Sequence, residues 1–131
     1  MGYEVKWHTE NTIVLVQLSG ELEIEEFANL DRLIIQHMDQ SPRILVHVWI
    51  DAKEVTQFPT NVRQVFKGLT HKNHKRLGWS IVITDNRMVQ FLGYMVTQLN
   101  NKARFRAFST DEEAQSFLKQ MDPNLDSMLN P

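Results

Sequence analysis

The chain of 131 residues is long enough for one domain, and its 42% hydrophobic content can supply an ordinary core. It contains no cysteine, which excludes disulfide bridges, thiolate zinc sites and cysteine nucleophiles. The formal net charge is only -2, and no apolar stretch approaches the ~18 residues of a membrane span. The first residues enter strand-like sequence without the apolar core of a signal peptide, so we expect a cytoplasmic protein.

The small net charge conceals a separation of charge along the chain. Residues 1–40 carry eight acidic side chains against two basic ones, whereas residues 55–84 carry five basic side chains and no acidic one. The basic set is Arg63, Lys67, Lys72, Lys75 and Arg76. Such a patch fits an anionic lipid or an acidic protein surface, although solvated helix faces explain the same pattern. The pI of about 6.2 and the lack of interleaved aromatic residues argue against nucleic acid.

The first part of the chain predicts a β-hairpin, a helix and a central strand. Residues 3–8 and 12–18 are strand-like on either side of the polar turn 9–11. Over about 22–39, apolar residues recur every three or four positions, which predicts an amphipathic helix with acidic side chains in its first turns. Residues 43–50 are almost uniformly apolar, which indicates a strand buried on both faces of a covered sheet.

The rest of the chain alternates helices with strands. A loop over 51–59 leads to a helix from about Thr60, and a buried strand covers 77–84. A helix over about 86–101 and a short strand over 103–108 follow.

A last helix begins at the capping box Thr110–Glu113 and ends before Pro123. The order β-β-α-β-α-β-α-β-α predicts an α/β domain with a mixed five-stranded sheet and about four helices. The first strand should be antiparallel and the others mainly parallel, joined by right-handed crossovers. We expect one domain over residues 1–121 and a flexible C-terminal tail over 122–131.

Six segments, taken in order, carry a resemblance to a known family. They are Leu18–Leu22, Leu45–Asp51, Leu77–Asp85, Arg104–Phe108, Thr110–Ala114 and Phe117–Leu118. Together they resemble the SpoIIAA-like branch of the STAS superfamily, which includes anti-sigma-factor antagonists, over residues 3 to about 121. A looser likeness joins this fold to CRAL-TRIO lipid-binding domains. The resemblance implies a binding or regulatory module that engages a protein partner and needs neither catalysis nor a cofactor.

The resemblance also directs attention to the loop after the third strand. In phospho-regulated STAS proteins this loop carries a serine that a partner kinase phosphorylates. If Asp51 matches the aspartate at the strand end, the phosphorylated position falls at Asn61, with Thr60 beside it, so this sequence departs from the motif. Because Thr60 follows a proline at a predicted helix start, we interpret its hydroxyl as a helix cap and not as a phosphorylation site.

Ligands of α/β proteins usually bind at the carboxyl ends of the parallel strands, where the loops 51–59 and 84–87 should open. The candidate ligand-binding residues are therefore Asp51, Phe58, Thr60, Asn61, Asp85 and Arg87. Phe58 offers an apolar wall and Arg87 an anion contact. A small apolar or anionic ligand, and hence a hydrophobic-ligand or lipid carrier, is the alternative function. Asp51 and Asp85 could also act as an acid–base pair, but no catalytic motif supports an enzyme.

Three histidines are candidate site residues. His71 and His74 are spaced for one helix face, but the neighbouring cations oppose a metal, so we expect both to be solvated. His47 lies in the central strand, and we expect a buried histidine with a satisfied hydrogen bond. We predict neither a metal nor a cofactor.

The helix over 86–101 is apolar on more than one side. A face formed by Val89, Gly93, Tyr94 and Val96 should point partly away from the sheet. We expect a homodimer through this face, because contiguous apolar surface usually marks an interface. The alternative is that a neighbouring helix and the C-terminal tail cover it within one chain.

Overall fold

The computed structural model describes residues 2–57, 64, 69–87, 90 and 104–125, and the structural statements below concern these residues. The strands are β1 (Gly2–Thr9), β2 (Ile13–Glu21), β3 (Val46–Gln57), β4 (Leu77–Ile83) and β5 (Phe105–Phe108). The α-helices are α1 (Ile24–Gln40) and α2 (Asp111–Met121), and two 3-10 turns cover Thr70–Asn73 and Pro123–Leu125.

The five strands form one sheet in the order β1-β2-β3-β4-β5. β1 is antiparallel to β2, and every other neighbouring pair is parallel. The predicted mixed sheet is therefore confirmed. The described residues contain two α-helices rather than four, since the helices expected from Thr60 and over 86–101 fall largely outside them. Neither described helix is long and apolar enough to span a membrane.

The central strand differs from the prediction at both ends. It begins at Val46 rather than at residue 43, and residues 51–57, which we expected to form a loop, continue it. Pairing with β4 ends at Asp51, so beyond that point only β2 still flanks β3. The later residues are therefore largely exposed, and their polar sequence resembles that of a loop.

The sheet is covered on both faces, which explains why β3 is so apolar. On one face, Leu30, Ile34 and Met38 of α1 join the core with Val16 and Val48. On the other face, residues of α2 and of the turn after it pack in a second cluster: Ile13, Trp49, Ile81, Ile83, Ala114, Leu118 and Leu125. Packing thus continues past the expected domain boundary at residue 121, because the Leu125 side chain is fully buried.

A β-bulge in β4 brings the strand against the ring of His47. Val46 lies opposite Leu77 and Val48 opposite Ser80, so β4 has one extra residue in this interval. A Cβ atom at Gly78 would overlap the Cε1 and Nδ1 atoms of His47. Glycine is required at position 78 because the ring of His47 leaves no space for a Cβ atom, and not because of its backbone dihedral angles.

We predict that Gly78→Ala destabilises the protein by about 2 kcal/mol, because the added methyl group overpacks a buried ring. The matched control is Gly2→Ala, whose Cβ would approach only the Ser19 hydroxyl, at 3.1 Å. That control should change the free energy of unfolding by less than about 0.5 kcal/mol. Urea unfolding of both variants measures the difference, and equal stability of the two would contradict the steric argument.

Candidate functional site

The His47 ring is buried in the sheet, and both of its nitrogens are bonded. Nδ1 accepts the backbone N–H of Trp79 at 3.0 Å, and Nε2 lies 3.0 Å from Oδ2 of Asp122. Because Nδ1 accepts, the ring proton is assigned to Nε2, which donates to the carboxylate. The expectation of a buried, hydrogen-bonded histidine is confirmed. Its partner Asp122 lies 75 residues further along the chain.

Asp122 directly follows the last residue of α2, and Arg43 and His47 both contact its carboxylate. Arg43 Nη2 lies 3.3 Å from Oδ2, the oxygen that also faces His47. Burial opposes ionisation of Asp122, but the bonds from His47 and Arg43 outweigh it and keep the pKa of the carboxyl below its usual value. Burial lowers the pKa of His47, and the bond to Asp122 offsets this only in part. The resulting arrangement is a neutral imidazole beside an ionised carboxylate.

A second buried link lies on the α1 side of the sheet and corrects the prediction for His71. The His71 side chain is not solvated; its ring lies between Asp31 of α1 and Ser80 of β4. Nδ1 donates to Oδ1 of Asp31 at 2.8 Å, and Nε2 lies 3.1 Å from Oγ of Ser80. His71 and His74 do not share a site, because His74 pairs with Asp39 at 2.7 Å.

Asp31 accepts four hydrogen bonds from the turn that follows residue 69. Oδ1 accepts from the His71 backbone N–H and ring, and Oδ2 accepts from the Thr70 backbone N–H and hydroxyl. Burial alone would raise the pKa of Asp31, but the bonds from His71 and Thr70 lower it to about 2. The carboxylate therefore fastens α1 to the turn that leads into β4.

The order Asp31–His71–Ser80 has the composition of a hydrolytic triad, but its position rules out that chemistry. Ser80 is 4% exposed and His71 is 2% exposed, so no substrate can reach the hydroxyl. The backbone N–H of Ser80 donates to the carbonyl of Arg104 and is not free to stabilise an oxyanion. The array links α1, the turn and β4 inside the protein.

Asp51 was predicted to end its strand, and that prediction is wrong. The residue lies within β3, on the side of α2. Its Oδ1 accepts the backbone N–H of Lys53, and its Oδ2 is 3.8 Å from Lys53 Nζ. Lys53 also binds Asp111, the first residue of α2, at 2.7 Å. The hydrogen bond to Asp111 raises the pKa of Lys53, which stays protonated and cannot act as a base.

The other ligand-binding candidates lie beyond β4 or outside the described residues. Asp85 and Arg87 are exposed after the end of β4. Phe58, Thr60 and Asn61 fall outside the described residues, so their role in ligand binding stays a prediction. The interpretation of Thr60 as a cap is likewise untested.

The basic patch is divided between structural and exposed residues. Arg76 Nη1 donates to the carbonyls of Met38, Asp39 and Ser41, and so caps the C-terminal end of α1. Lys75 is exposed. Arg63, Lys67 and the side chain of Lys72 lie outside the described part of the chain. The dimer face of Val89, Gly93, Tyr94 and Val96 also lies outside it, and that dimer stays a prediction.

Sequence reasoning missed the acidic partners of both buried histidines. A signal for Asp31 was present, because its position coincides with the apolar stripe of α1, where an unpaired carboxylate would be costly. Asp122 offered no such signal, since an aspartate before a proline also explains the end of a helix.

The fold has known relatives among solved structures, although no family model and no curated protein matches the sequence. An anti-sigma factor antagonist from Mycobacterium paratuberculosis matches with a TM-score of 0.63 and 16% identity, over 90% of this chain and 93% of that one. An uncharacterised protein with a SpoIIAA-like fold from Shewanella loihica gives 0.62 and 13%, over 89% and 92%. The anti-sigma factor antagonist SpoIIAA in its unphosphorylated form gives 0.58 and 13%, over 91% and 97%. The chain therefore has a SpoIIAA-like fold.

We predict that Asp31→Asn destabilises the protein by about 3 kcal/mol, because one amide cannot replace the carboxylate toward four donors. The stabilisation by Asp31 is complete above its unfolded pKa of 3.8 and is lost as the pH falls toward about 2. This acid-dependent part, worth about 2 kcal/mol in the wild type, should be absent from the variant.

The matched control is Asp39→Asn, which alters the pair formed by the exposed Asp39 of the same helix and His74, the residue just after the same turn. Its free energy of unfolding should change by less than about 1 kcal/mol. Urea titrations between pH 2 and pH 5 measure both effects. If the two variants lose the same stability, the buried link does not have the role assigned to it.

Proposed function

We propose that the chain is a non-catalytic regulatory module of STAS type that works by binding a protein partner. The proposal draws on the likeness of its fold to two anti-sigma factor antagonists. One fold can host many functions, so this likeness supports the proposal only by analogy. The arrangement of the side chains gives independent support.

One observation carries the proposal. The described chain contains an aspartate–histidine–serine array, the arrangement most suggestive of an enzyme, and that array is sealed in the core. The second histidine–carboxylate pair, His47 with Asp122, is buried as well. Because these groups are buried, they favour a role in stabilising the scaffold, which supports binding through the surface of the domain.

The end of the sheet where β2 and β3 finish offers a charged surface for recognition. Exposed acidic side chains lie in the last residues of the two strands and at the start of α1: Glu21, Glu23, Glu25 and Glu54. Glu54 of β3 lies opposite Ser19 of β2. Because Ser19 precedes Glu21 by only two residues, the acidic side chains of the two strands are close. A partner with a basic surface would complement this end of the domain.

The test compares two charge reversals of equal size at opposite ends of the sheet. Proteins cross-linked to the chain in its source cells are identified, and the affinity of the purified partner is then measured. We expect Glu21→Lys to weaken binding roughly tenfold. Glu10→Lys, in the turn between β1 and β2, should leave the affinity unchanged.

Equal binding by both variants would contradict the assignment of the surface. Recovery of a small apolar molecule in place of any specific protein would contradict the proposed function and support a ligand carrier.

A further inference from the structure

β1 is an outer strand of the described sheet, and it is eight residues long. Among the described residues it pairs with β2 alone. Tyr3, Val5 and Trp7 are partly buried against the α1 side, whereas Glu4 and Lys6 are exposed on the opposite face. The backbone groups along such an edge can template another strand.

We propose that β1 pairs antiparallel with β1 of a second copy, about a two-fold axis at Val5. A two-fold axis perpendicular to the sheet keeps each side chain on its own face, so the register must be centred on a residue. Centring on Glu4 would place two glutamates opposite each other, and centring on Lys6 would do the same with two lysines. Only the register centred on Val5 places Glu4 opposite Lys6 of the second copy, twice.

The same register also matches the side chains on the α1 face. Val5 meets Val5 of the second copy, and Tyr3 meets Trp7. Aromatic and β-branched pairs of this kind are the ones that stabilise antiparallel strands. The pairing would join two five-stranded sheets into one continuous sheet.

Charged side chains on an outer strand can also prevent it from pairing with another strand. Whether they favour or prevent pairing depends on which positions carry positive and which carry negative charge. Glu4 and Lys6 are of opposite sign, lie two residues apart and contact each other at 3.4 Å, with 61% and 50% of their side chains exposed. Two copies of such a strand attract in one register, whereas a strand carrying one sign of charge would repel its copy in all of them. This strand is a different segment of the chain from the predicted dimer face of Val89, Gly93, Tyr94 and Val96.

The test uses light scattering and sedimentation of the full chain, with circular dichroism to verify folding. We expect a dimer for the wild type. Glu4→Lys and Lys6→Glu should each raise the dimer dissociation constant about tenfold or more, because two attractive pairs become two repulsive ones. The double variant, with both substitutions, restores opposite charges and should dimerise like the wild type.

Mixing the two single variants gives the sharpest result, because Lys faces Glu at both positions only in the mixed dimer. The mixture should therefore form a heterodimer more tightly than either variant alone. A wild type that stays monomeric at hundreds of micromolar would overturn the proposal. So would a dimer that the single substitutions do not weaken, or one that neither the double variant nor the mixture restores.

Discussion

The neutral imidazole of His47 joins three parts of the chain that are distant in sequence. It accepts a backbone N–H from the bulge in β4 and donates to the carboxylate that ends α2, while its own backbone belongs to the central strand. The bulge, the glycine at position 78 and the burial of Asp122 all follow from placing this ring between the strand and the helix. A buried polar group of this kind stabilises a fold only if every partner is present, so the three segments depend on one another.

A comparable link on the other face fixes α1. Asp31 takes all four of its bonds from the turn over Thr70–Asn73, and through His71 it reaches β4. Each of the two described helices is thus attached to the sheet by an aspartate–histidine pair in addition to its apolar contacts. The four side chains of these two pairs are buried, so they stabilise the fold and do not contact a partner.

The order of the strands along the chain and their relative directions could be predicted from the sequence, because apolar strands, caps and turns are local signals. The hydroxyl of Thr110 accepts the N–H of Glu113, as its position in the sequence indicates. The extension of β3 to Gln57 could not be predicted. Beyond Asp51 the strand is flanked on one side only, so its residues are exposed and lack the apolar pattern of a buried strand. The burial of His71 could not be predicted either, since it depends on Asp31, 40 residues away. The position of Asp31 in the apolar stripe of α1 signals a buried carboxylate, but it does not say which residue is its partner.

The protonation state of His47 tests this account most directly. Nitrogen resonances of its ring, followed by nuclear magnetic resonance across the acid range, report which nitrogen carries the proton and when the second proton binds. The structure predicts a proton on Nε2, none on Nδ1, and a ring that is less than half charged at pH 6.5, because burial lowers the pKa of His47. A proton on Nδ1, or a ring that is half charged at pH 6.5, would contradict the link between β3, β4 and α2.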